Sequence, residues 1–275
     1  MEALSPIVTI AARLGYVGGL ALSFGWLALA EELSHAAKAE LLRSAVVVKA
    51  SKVGKGVTET WRVTLQGSGV THDASFQYVD ERVAVKDLGD GNTELNFVDS
   101  YRYNVAGYRL AKLLGLGHMV PVSVEREWRG HRGAMTWWVD DVVMDEAQMN
   151  ERALTAPDRV EWLEQIYRVR VFSELVYDTD RNQGNLLITS DWKIWMIDFT
   201  RAFRGWAKLR RAEMLVRCDR DLFAALSALS RAQLEAELSE ILDEGELDGL
   251  WARCDLILAH FGSLIADRGE NTVLY

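Results

Sequence analysis

The chain has 275 residues, of which 49% are hydrophobic and 26% are charged, and its formal net charge is -9. This length suits one large domain or two lobes around a cleft, and the composition is typical of a globular protein that buries a core. The acidic balance, without a basic stripe to neutralise phosphates, excludes a nucleic-acid-binding protein. Nucleotide binding is still compatible with this charge, because local side chains and metal ions set the field at a site.

The first thirty residues have the plan of a secretory signal peptide. Arg13 precedes an apolar run at 14–27, and the small-x-small tripeptide 28–30 leads into two glutamates at 31–32. We therefore expect a periplasmic or secreted protein. Two alternatives stay open. One is a membrane anchor, for which roughly 20 apolar residues are needed, and the other is a buried helix of a cytoplasmic protein. We also expect residues 7–30 to make transient contact with a membrane.

Strands dominate the predicted first half. A short helix at 36–43 comes first, and the segments with strand-like alternation are 45–50, 58–65, 74–79, 82–88, 121–127 and 134–143. The segment 82–88 either extends the third strand or forms another. An amphipathic helix is predicted over 103–116, where apolar residues recur at helical spacing and glycines follow.

Helices dominate from Asp158 onwards. One buried face is predicted from the three-residue spacing of Val160, Leu163, Ile166, Val169, Phe172 and Leu175. Loop and hairpin interrupt the helices at 177–203, and two or three helices fill 209–267, with Gly245 and Gly249 between them. The sequence thus predicts an α+β protein with two lobes. After the N-terminal segment 1–30, a β-rich N-lobe with one helix spans 31–143, and an α-rich C-lobe spans 144–275.

The two cysteines, Cys218 and Cys254, lack the short spacing of a zinc or redox pair. Burial as free thiols and a disulfide between two C-terminal helices both stay open, because the outcome depends on the compartment.

The segment Asp-Arg-Asn-Gln-Gly-Asn at 180–185 carries the strongest chemical signal. Phosphoryl transfer needs a carboxylate that orients the acceptor and takes its proton, and oxygen ligands for a divalent metal. A predicted β-hairpin after the loop returns Asp198 to it, so that Asp180, Asn185 and Asp198 converge on one point. Oxygen ligands suit Mg²⁺ or Mn²⁺. A plain polar turn is the alternative. The acid that directly follows a buried strand favours a site, because such an acid is costly without a partner.

This loop, followed by Ile-Asp-Phe at 197–199, resembles the atypical kinases. These are the phosphatidylinositol kinases, the HipA-type bacterial kinases and the secretory-pathway kinases related to Golgi casein kinase and four-jointed. A second block is similar to their helix-then-Val-Pro segment, with Ala-Gly-Tyr-Arg-Leu at 106–110 and Val-Pro-Val-Ser-Val at 120–124. The resemblance covers about 45–204. It implies a bacterial-type member of the superfamily with a two-lobed, protein-kinase-like fold.

The resemblance also implies the roles of single residues. Asp180 would be the catalytic acid/base, and Asn185 and Asp198 the metal ligands for ATP with Mg²⁺ or Mn²⁺. The cofactor-binding residues implied in the same way are Gly54, Lys55 and Gly56 in a turn over the phosphates and Trp138, Val139 and Asp140 beside the adenine. For the glycine turn, a plain hairpin turn is the alternative.

The chain departs from the family pattern on the other side of the expected cleft. Lys86, in Val-Ala-Val-Lys, resembles the lysine strand of protein kinases, but Gln77 lies where the secretory and HipA-like families carry the lysine. Lys86 is therefore either a phosphate contact or a solvated side chain. Asn104 replaces the expected helix glutamate, and Thr200 the glycine that often follows Asp-Phe.

Two further arginines follow the Asp-Phe pair. Arg201 and Arg204 would contact phosphate or an acidic substrate, or form structural salt bridges. We expect a phosphotransferase that acts on a protein or a small-molecule hydroxyl acceptor. The missing glutamate keeps two alternatives open, a nucleotide-binding pseudokinase and a kinase-fold protein that transfers AMP.

Overall fold

The structure is a computed structural model and describes residues 33–53, 60–89 and 91–275. The expected signal peptide at 1–30, its membrane-contacting part at 7–30 and the glycine turn at 54–56 lie outside these ranges and stay predictions. Within the described ranges, no helix has both the length and the hydropathy that crossing a membrane requires.

Strands fill most of the first half of the described chain and helices most of the second, as predicted. The strands are β1 (Val46–Lys52), β2 (Thr60–Gly67), β3 (Val70–Gln77), β4 (Asp80–Gly89), β5 (Asn92–Ser100), β6 (Ser123–Trp128), β7 (His131–Trp137), β8 (Val142–Asp145), β9 (Leu186–Thr189) and β10 (Ile194–Met196). The α-helices are α1 (His35–Ser44), α2 (Arg102–Leu113), α3 (Glu146–Glu151), α4 (Arg159–Leu175), α5 (Arg220–Ala228), α6 (Arg231–Leu238), α7 (Glu244–Arg268) and α8 (Glu270–Val273).

Five strands form an antiparallel sheet in the order β1-β2-β3-β7-β6. Side chains alternate between the two faces of a strand, and Val63 and Leu65 of β2 share the buried face with Ala74 and Phe76 of β3. Helices α1 and α2 pack on this sheet. The register places Gln77, at the end of β3, opposite Thr60 on one side and Ala134 on the other.

The segment between β3 and α2 is a separate two-stranded hairpin of β4 and β5, which we call the ribbon. The sequence indicated its first strand but not its second. Strand β5 was missed because most of its residues are polar and only Phe97 and Ser100 are fully buried. In the main sheet β3 pairs directly with β7, so the ribbon is an insertion in the chain between β3 and α2.

A smaller sheet in the order β10-β9-β8 lies at the start of the helical half. Strands β9 and β10 form the predicted hairpin, with Leu187 opposite Trp195. The expected strand 134–143 is two strands, because β7 ends at Trp137 and β8 begins at Val142. The predicted boundary between lobes, at 143/144, falls inside β8.

Two helix predictions for the second half were wrong in part. Gly245 and Gly249 do not separate helices, because both lie inside α7. A Cβ at Gly249 would lie 2.7 Å from the carbonyl carbon of Gly205, so the glycine allows a close backbone approach. In α4 only the later half of the predicted face is buried, since Val160 and Leu163 are 65% and 46% exposed.

Cys218 and Cys254 are both free and buried, so they do not pair with each other. Burial raises the pKa of the Cys218 thiol to about 12 and that of the Cys254 thiol to about 11. Both side chains therefore act as small apolar groups in the core at neutral pH.

Candidate active site

The loop from Asp178 to Asn185 is closed by its own hydrogen bonds. The Asp178 carboxylate accepts the Asp180 backbone N–H at 3.0 Å, and Asn185 Nδ2 donates to the Asp180 carbonyl at 3.0 Å. Asn182 Oδ1 caps the short 3₁₀ turn that ends at Asn185 by accepting the Gly184 N–H. The loop thus holds Asn185 against the backbone of Asp180, while the Asp180 side chain is exposed.

The strand that returns from the hairpin brings Asp198 to this loop. The Ile197 N–H donates to the Asn185 carbonyl at 3.1 Å, so the residue before Asp198 is bonded to Asn185. Asp198 itself has a φ of +56°, a conformation that residues other than glycine adopt rarely. The Phe199 N–H, directly after it, donates to Asn104 Oδ1 at 2.8 Å and so holds the strained turn in place.

Arg181 ties the loop to the returning strand. Its guanidinium donates to the Asn185 carbonyl at 3.0 Å and to the Ile197 carbonyl at 2.6 Å. It also forms an ion pair of 2.5 Å with the fully buried Asp178 and lies 4.6 Å above the Phe199 ring. Sequence reasoning gave this arginine no role. Its contacts show that it positions both segments of the site.

Gln77 and Asn104 occupy the places of the expected lysine and glutamate. Asn104 Nδ2 donates to Gln77 Oε1 at 2.7 Å, and Gln77 Nε2 donates to the Thr60 hydroxyl at 3.3 Å. The link between the sheet and α2 is therefore a neutral amide pair. Because Asn104 also binds the Phe199 N–H, the pair connects Gln77 to the turn that carries Asp198.

Two glycines permit this arrangement. A Cβ at Gly107 on α2 would lie 2.9 Å from Phe199 Cδ2, so the helix can receive the Phe199 ring only without a side chain there. A Cβ at Gly133 on β7 would lie 2.5 Å from the Gln77 carbonyl. The absence of side chains at these two positions lets β7 and α2 approach the site residues closely.

Lys86 lies on the ribbon, which is a separate sheet from the five-stranded sheet. In the five-stranded sheet, Gln77 is the last residue of β3. Lys86 forms an ion pair of 2.5 Å with Glu81 and lies 5.1 Å from the Phe97 ring. Glu81 is the cross-strand partner of Asp99, so Lys86 belongs to a cluster of charges on the ribbon.

The expected adenine segment, Trp138 to Asp140, connects β7 to β8. The Trp138 N–H donates to the Asp73 carbonyl at 3.1 Å, and Asp140 bonds His72 at 2.7 Å. His72 in turn stacks on Trp137 with ring centroids 3.7 Å apart. These contacts bind the segment to His72 and Asp73 in the first half of β3. The segment therefore lies between the five-stranded sheet and the smaller sheet that begins the helical half.

The ribbon contributes an acid that sequence reasoning missed. The Ser100 N–H donates to the Thr200 carbonyl at 2.9 Å, which joins the end of β5 to the residues after Asp198. The Thr200 hydroxyl donates to Asp198 Oδ1 at 3.1 Å and also interacts with the Asp99 carboxylate. Asp99 therefore lies beside Asp198. The available signal was the one used for Asp198, an acid that ends an apolar strand segment, here Phe97-Val98-Asp99.

Electrostatics favour a cation between these acids. Burial, and after it the charge of Asp99, raises the pKa of Asp198 above its usual value. Burial likewise raises the pKa of Asp99, although Thr200 and the charge of Arg201 oppose this rise. Two carboxylates that share a poorly solvated space repel each other, and a divalent cation would relieve both penalties.

The donor set fits Mg²⁺ or Mn²⁺. Among the described residues, no three histidine, cysteine or acidic side chains form a group that could hold a metal alone. Mg²⁺, however, is typically held by one or two carboxylates together with waters and substrate phosphates. Asp198, the amide oxygen of Asn185 and a buried, unpaired oxygen of Asp99 match that chemistry.

Arg201 and Arg204 bind the ribbon. Both form ion pairs with Glu94, and Arg204 also donates to the Asn96 carbonyl at 3.0 Å and to the Val98 carbonyl at 3.2 Å. Arg204 is only 6% exposed. The structure thus favours the structural reading of these arginines, which hold the ribbon against the segment that follows Asp198.

A cavity of about 750 Å³ lies beside α2. Its lining includes Arg102, Arg109, Glu125 and Arg132, and none of the residues predicted to bind metal or nucleotide.

No model of a known protein family matches the sequence, and no curated protein matches it. Solved structures do match the fold. Hydra Fam20, solved with a sugar, has a TM-score of 0.66 at 13% identity, over 87% of this chain and 91% of its own. This chain therefore shares the fold of that Fam20 protein.

Two further solved structures agree. A Golgi casein kinase has a TM-score of 0.62 at 13% identity, over 86% of this chain and 77% of its own. The proinflammatory kinase CtkA of Helicobacter pylori has a TM-score of 0.51 at 9% identity, over 83% of this chain and 97% of its own. The predicted α+β, two-lobed kinase-like fold is confirmed.

Proposed function

We propose that the protein is an ATP-dependent phosphotransferase that uses Mg²⁺ or Mn²⁺ and acts outside the cytoplasm on a hydroxyl acceptor. The convergence of Asp180, Asn185 and Asp198 on one loop and hairpin of a kinase fold carries this proposal. The order and spacing of these three residues match the family motif.

Each side chain has a place in the reaction. The exposed Asp180 carboxylate orients the acceptor hydroxyl and takes its proton as the oxygen attacks the terminal phosphorus. Asn185 and Asp198 hold the divalent cation, which, when bound, neutralises phosphate charge. Arg181 keeps both ligands at a fixed separation by bonding the carbonyls of Asn185 and Ile197. Such preorganisation supplies much of the rate enhancement in phosphoryl transfer.

The nucleotide would lie between the five-stranded sheet and this hairpin. The backbone of Trp138, Val139 and Asp140 is proposed to meet the adenine, and the turn at 54–56 the phosphates. Gln77 stands where the family pattern has the phosphate-binding lysine, and Lys86, which Glu81 holds on the ribbon, is the second candidate for a phosphate contact. These assignments rest on the family pattern together with the positions of the strands.

The N-terminal segment and the matched folds support the proposed compartment and acceptor. The N-terminal segment has the plan of a signal peptide, and the matched folds include a Golgi kinase and a Fam20 protein solved with a sugar. Protein and sugar hydroxyls are therefore the two acceptor classes to test.

The test uses the purified full chain with ATP labelled either on the γ- or on the α-phosphate, with Mg²⁺ or Mn²⁺, and with casein or a panel of sugars as acceptor. We expect γ-label in the acceptor, and a loss of about 10³-fold or more for Asp180→Asn, in line with an acid/base and orienting role. Asp267→Asn, a change of an exposed aspartate on α7, is the matched control. Equal transfer by the wild type and Asp180→Asn contradicts the proposal.

The neutral pair Gln77–Asn104 favours a second candidate, a nucleotide-binding pseudokinase or an AMP-transferring enzyme. Without the lysine–glutamate pair, the phosphates lack the positively charged lysine side chain and the glutamate that would position it. The nucleotide is then free to bind in a different pose. Transfer of α-label would select AMP transfer, and nucleotide binding without any transfer would select the pseudokinase.

A further inference from the structure

The ribbon places Asp99 beside the predicted metal site through backbone contacts. Strand β5 ends at Ser100, whose N–H donates to the Thr200 carbonyl at 2.9 Å. Asp99 directly precedes Ser100, and Asp198 lies two residues before Thr200, so this hydrogen bond brings the two acids together. The Thr200 hydroxyl interacts with both carboxylates. This arrangement depends on the ribbon, which the main sheet does not need for its own pairing.

One carboxylate oxygen of Asp99 lacks the hydrogen bond that a buried oxygen normally makes. Asp99 Oδ1 is shielded from solvent and has no hydrogen-bond partner within the described part of the chain. An orphaned buried carboxylate oxygen costs free energy, because water has been removed and nothing replaces it. Thr200 and the charge of Arg201 offset part of this cost, but Asp99 Oδ1 itself stays without a hydrogen bond, and the nearby Asp198 carboxylate repels the group.

Helix α2 cannot supply the missing ligand. The residue in the place of the family's glutamate is Asn104, and both ends of its amide are engaged. Its Nδ2 donates to Gln77 and its Oδ1 accepts the Phe199 N–H, and α2 contains no acidic residue, so this helix offers the cation no carboxylate. A ligand set limited to Asn185 and Asp198 would leave a divalent cation with a single carboxylate.

We propose that Asp99 is a ligand of the divalent cation, supplied by the ribbon in place of an acidic residue on α2. This inference rests on the proposed function, since it concerns the same cation. Two carboxylates, Asp99 and Asp198, would then face the metal from different elements, with Asn185 as the third oxygen donor. The ion pairs of Glu94 with Arg201 and Arg204 hold the ribbon in the position that the ligand requires.

The competing reading is that Asp99 is protonated and serves as a neutral partner of Thr200. The two readings differ in what Asp99→Asn does to metal affinity. An asparagine keeps the size and the hydrogen bond to Thr200, but it lacks the negative charge. If Asp99 is a metal ligand, the variant should bind the metal more weakly than the wild type. If Asp99 is only a structural partner of Thr200, the metal affinity should not change.

The experiment measures Mn²⁺ binding to the full chain by electron paramagnetic resonance, which counts free Mn²⁺, with and without a non-hydrolysable ATP analogue. The variants are Asp99→Asn, Asp198→Asn and, as control, Asp267→Asn. We expect Asp99→Asn to weaken Mn²⁺ binding about tenfold or more, Asp198→Asn to weaken it at least as much, and the control to bind as the wild type does.

Folding is checked on the same samples by thermal melting without metal, where Asp99→Asn should melt no lower than the wild type because it removes a poorly solvated charge. If the wild type binds Mn²⁺, Asp198→Asn loses it and Asp99→Asn keeps it, the ligand role of Asp99 is wrong and the proposed function stands. If the wild type does not bind Mn²⁺ with the analogue, both the proposed function and this inference fail.

Discussion

Gln77 and Asn104 are joined by a hydrogen bond of 2.7 Å from Asn104 Nδ2 to Gln77 Oε1. The bond connects the end of β3 to α2, at the place where a kinase fold usually has a lysine–glutamate ion pair. Asn104 extends the connection to the Phe199 N–H at 2.8 Å. A neutral relay of two amides thus positions the turn that carries Asp198, and no charge in this relay faces the phosphates.

The relay predicts unequal effects of two alanine substitutions. Asn104→Ala leaves the buried Phe199 N–H without a partner, so we expect a loss of about 1–3 kcal/mol in the free energy of unfolding. Gln77→Ala leaves Asn104 bound to Phe199 and should cost less. Urea unfolding of both variants measures the difference. A larger loss for Gln77→Ala would show that Asn104 does not carry the turn.

Two helix glycines predict effects of opposite sign. Gly107→Ala puts a Cβ within 2.9 Å of the Phe199 ring, and we expect it to destabilise the protein by about 1–3 kcal/mol through overpacking. Gly262→Ala, on α7, meets no atom within 4 Å and should stabilise by about 0.5–1 kcal/mol through helix propensity. Thermal melting of the two variants tests this. A neutral Gly107→Ala would contradict the close packing of Phe199 on α2.

The buried pair of Arg181 and Asp178 predicts non-additive losses. Arg181→Met removes the partner of a fully buried carboxylate, at a cost of about 3–5 kcal/mol. Adding Asp178→Asn removes the unpaired charge but keeps the bond to the Asp180 N–H, so the double variant should be more stable than Arg181→Met alone. Urea unfolding of the single and double variants forms the cycle, and additive losses would rule out direct pairing.

Asp198 predicts a pH-dependent gain in stability on substitution. Burial, with Asp99 nearby, raises its pKa above the usual 3.8. Between the unfolded and folded pKa values the folded state binds more protons, so this group makes the metal-free protein less stable as pH rises through that window. Asp198→Asn removes the effect. We expect it to stabilise the metal-free protein at neutral pH.

The measurement is urea unfolding in a chelator at several pH values, with Asp267→Asn as the control. The gain from Asp198→Asn over the wild type should grow as pH rises from about 4 and then level off above the folded pKa. A variant that is less stable than the wild type at neutral pH without metal would contradict the raised pKa.

The sequence was informative where local pattern decides structure. The loop at 180–185, the hairpin behind it and the helix before Gly115 follow from turn residues and apolar periodicity, and the structure has all three. Gly249 was misread as a helix break because a glycine in sequence does not show whether it ends a helix or admits a neighbouring backbone.

Contacts between segments that are distant in the chain could not be predicted from the sequence. Asp99 and Asp198 lie almost a hundred positions apart and meet through one backbone bond between Ser100 and Thr200. Lys86 has the sequence pattern of the lysine strand, but register and strand order, which no local pattern specifies, put it on the ribbon. Local pattern therefore indicated one half of the site, and tertiary pairing determines the other.

The most direct test of the account is calorimetric titration of the full chain with ATP, with and without Mn²⁺, for the wild type and Asp198→Asn. If the hairpin is a metal–nucleotide site among acids, ATP should bind the wild type only when Mn²⁺ is present, because its phosphates would otherwise face carboxylates. Asp198→Asn should lose the binding that depends on Mn²⁺. Equal ATP affinity in the presence and absence of Mn²⁺, unchanged in Asp198→Asn, would contradict the account.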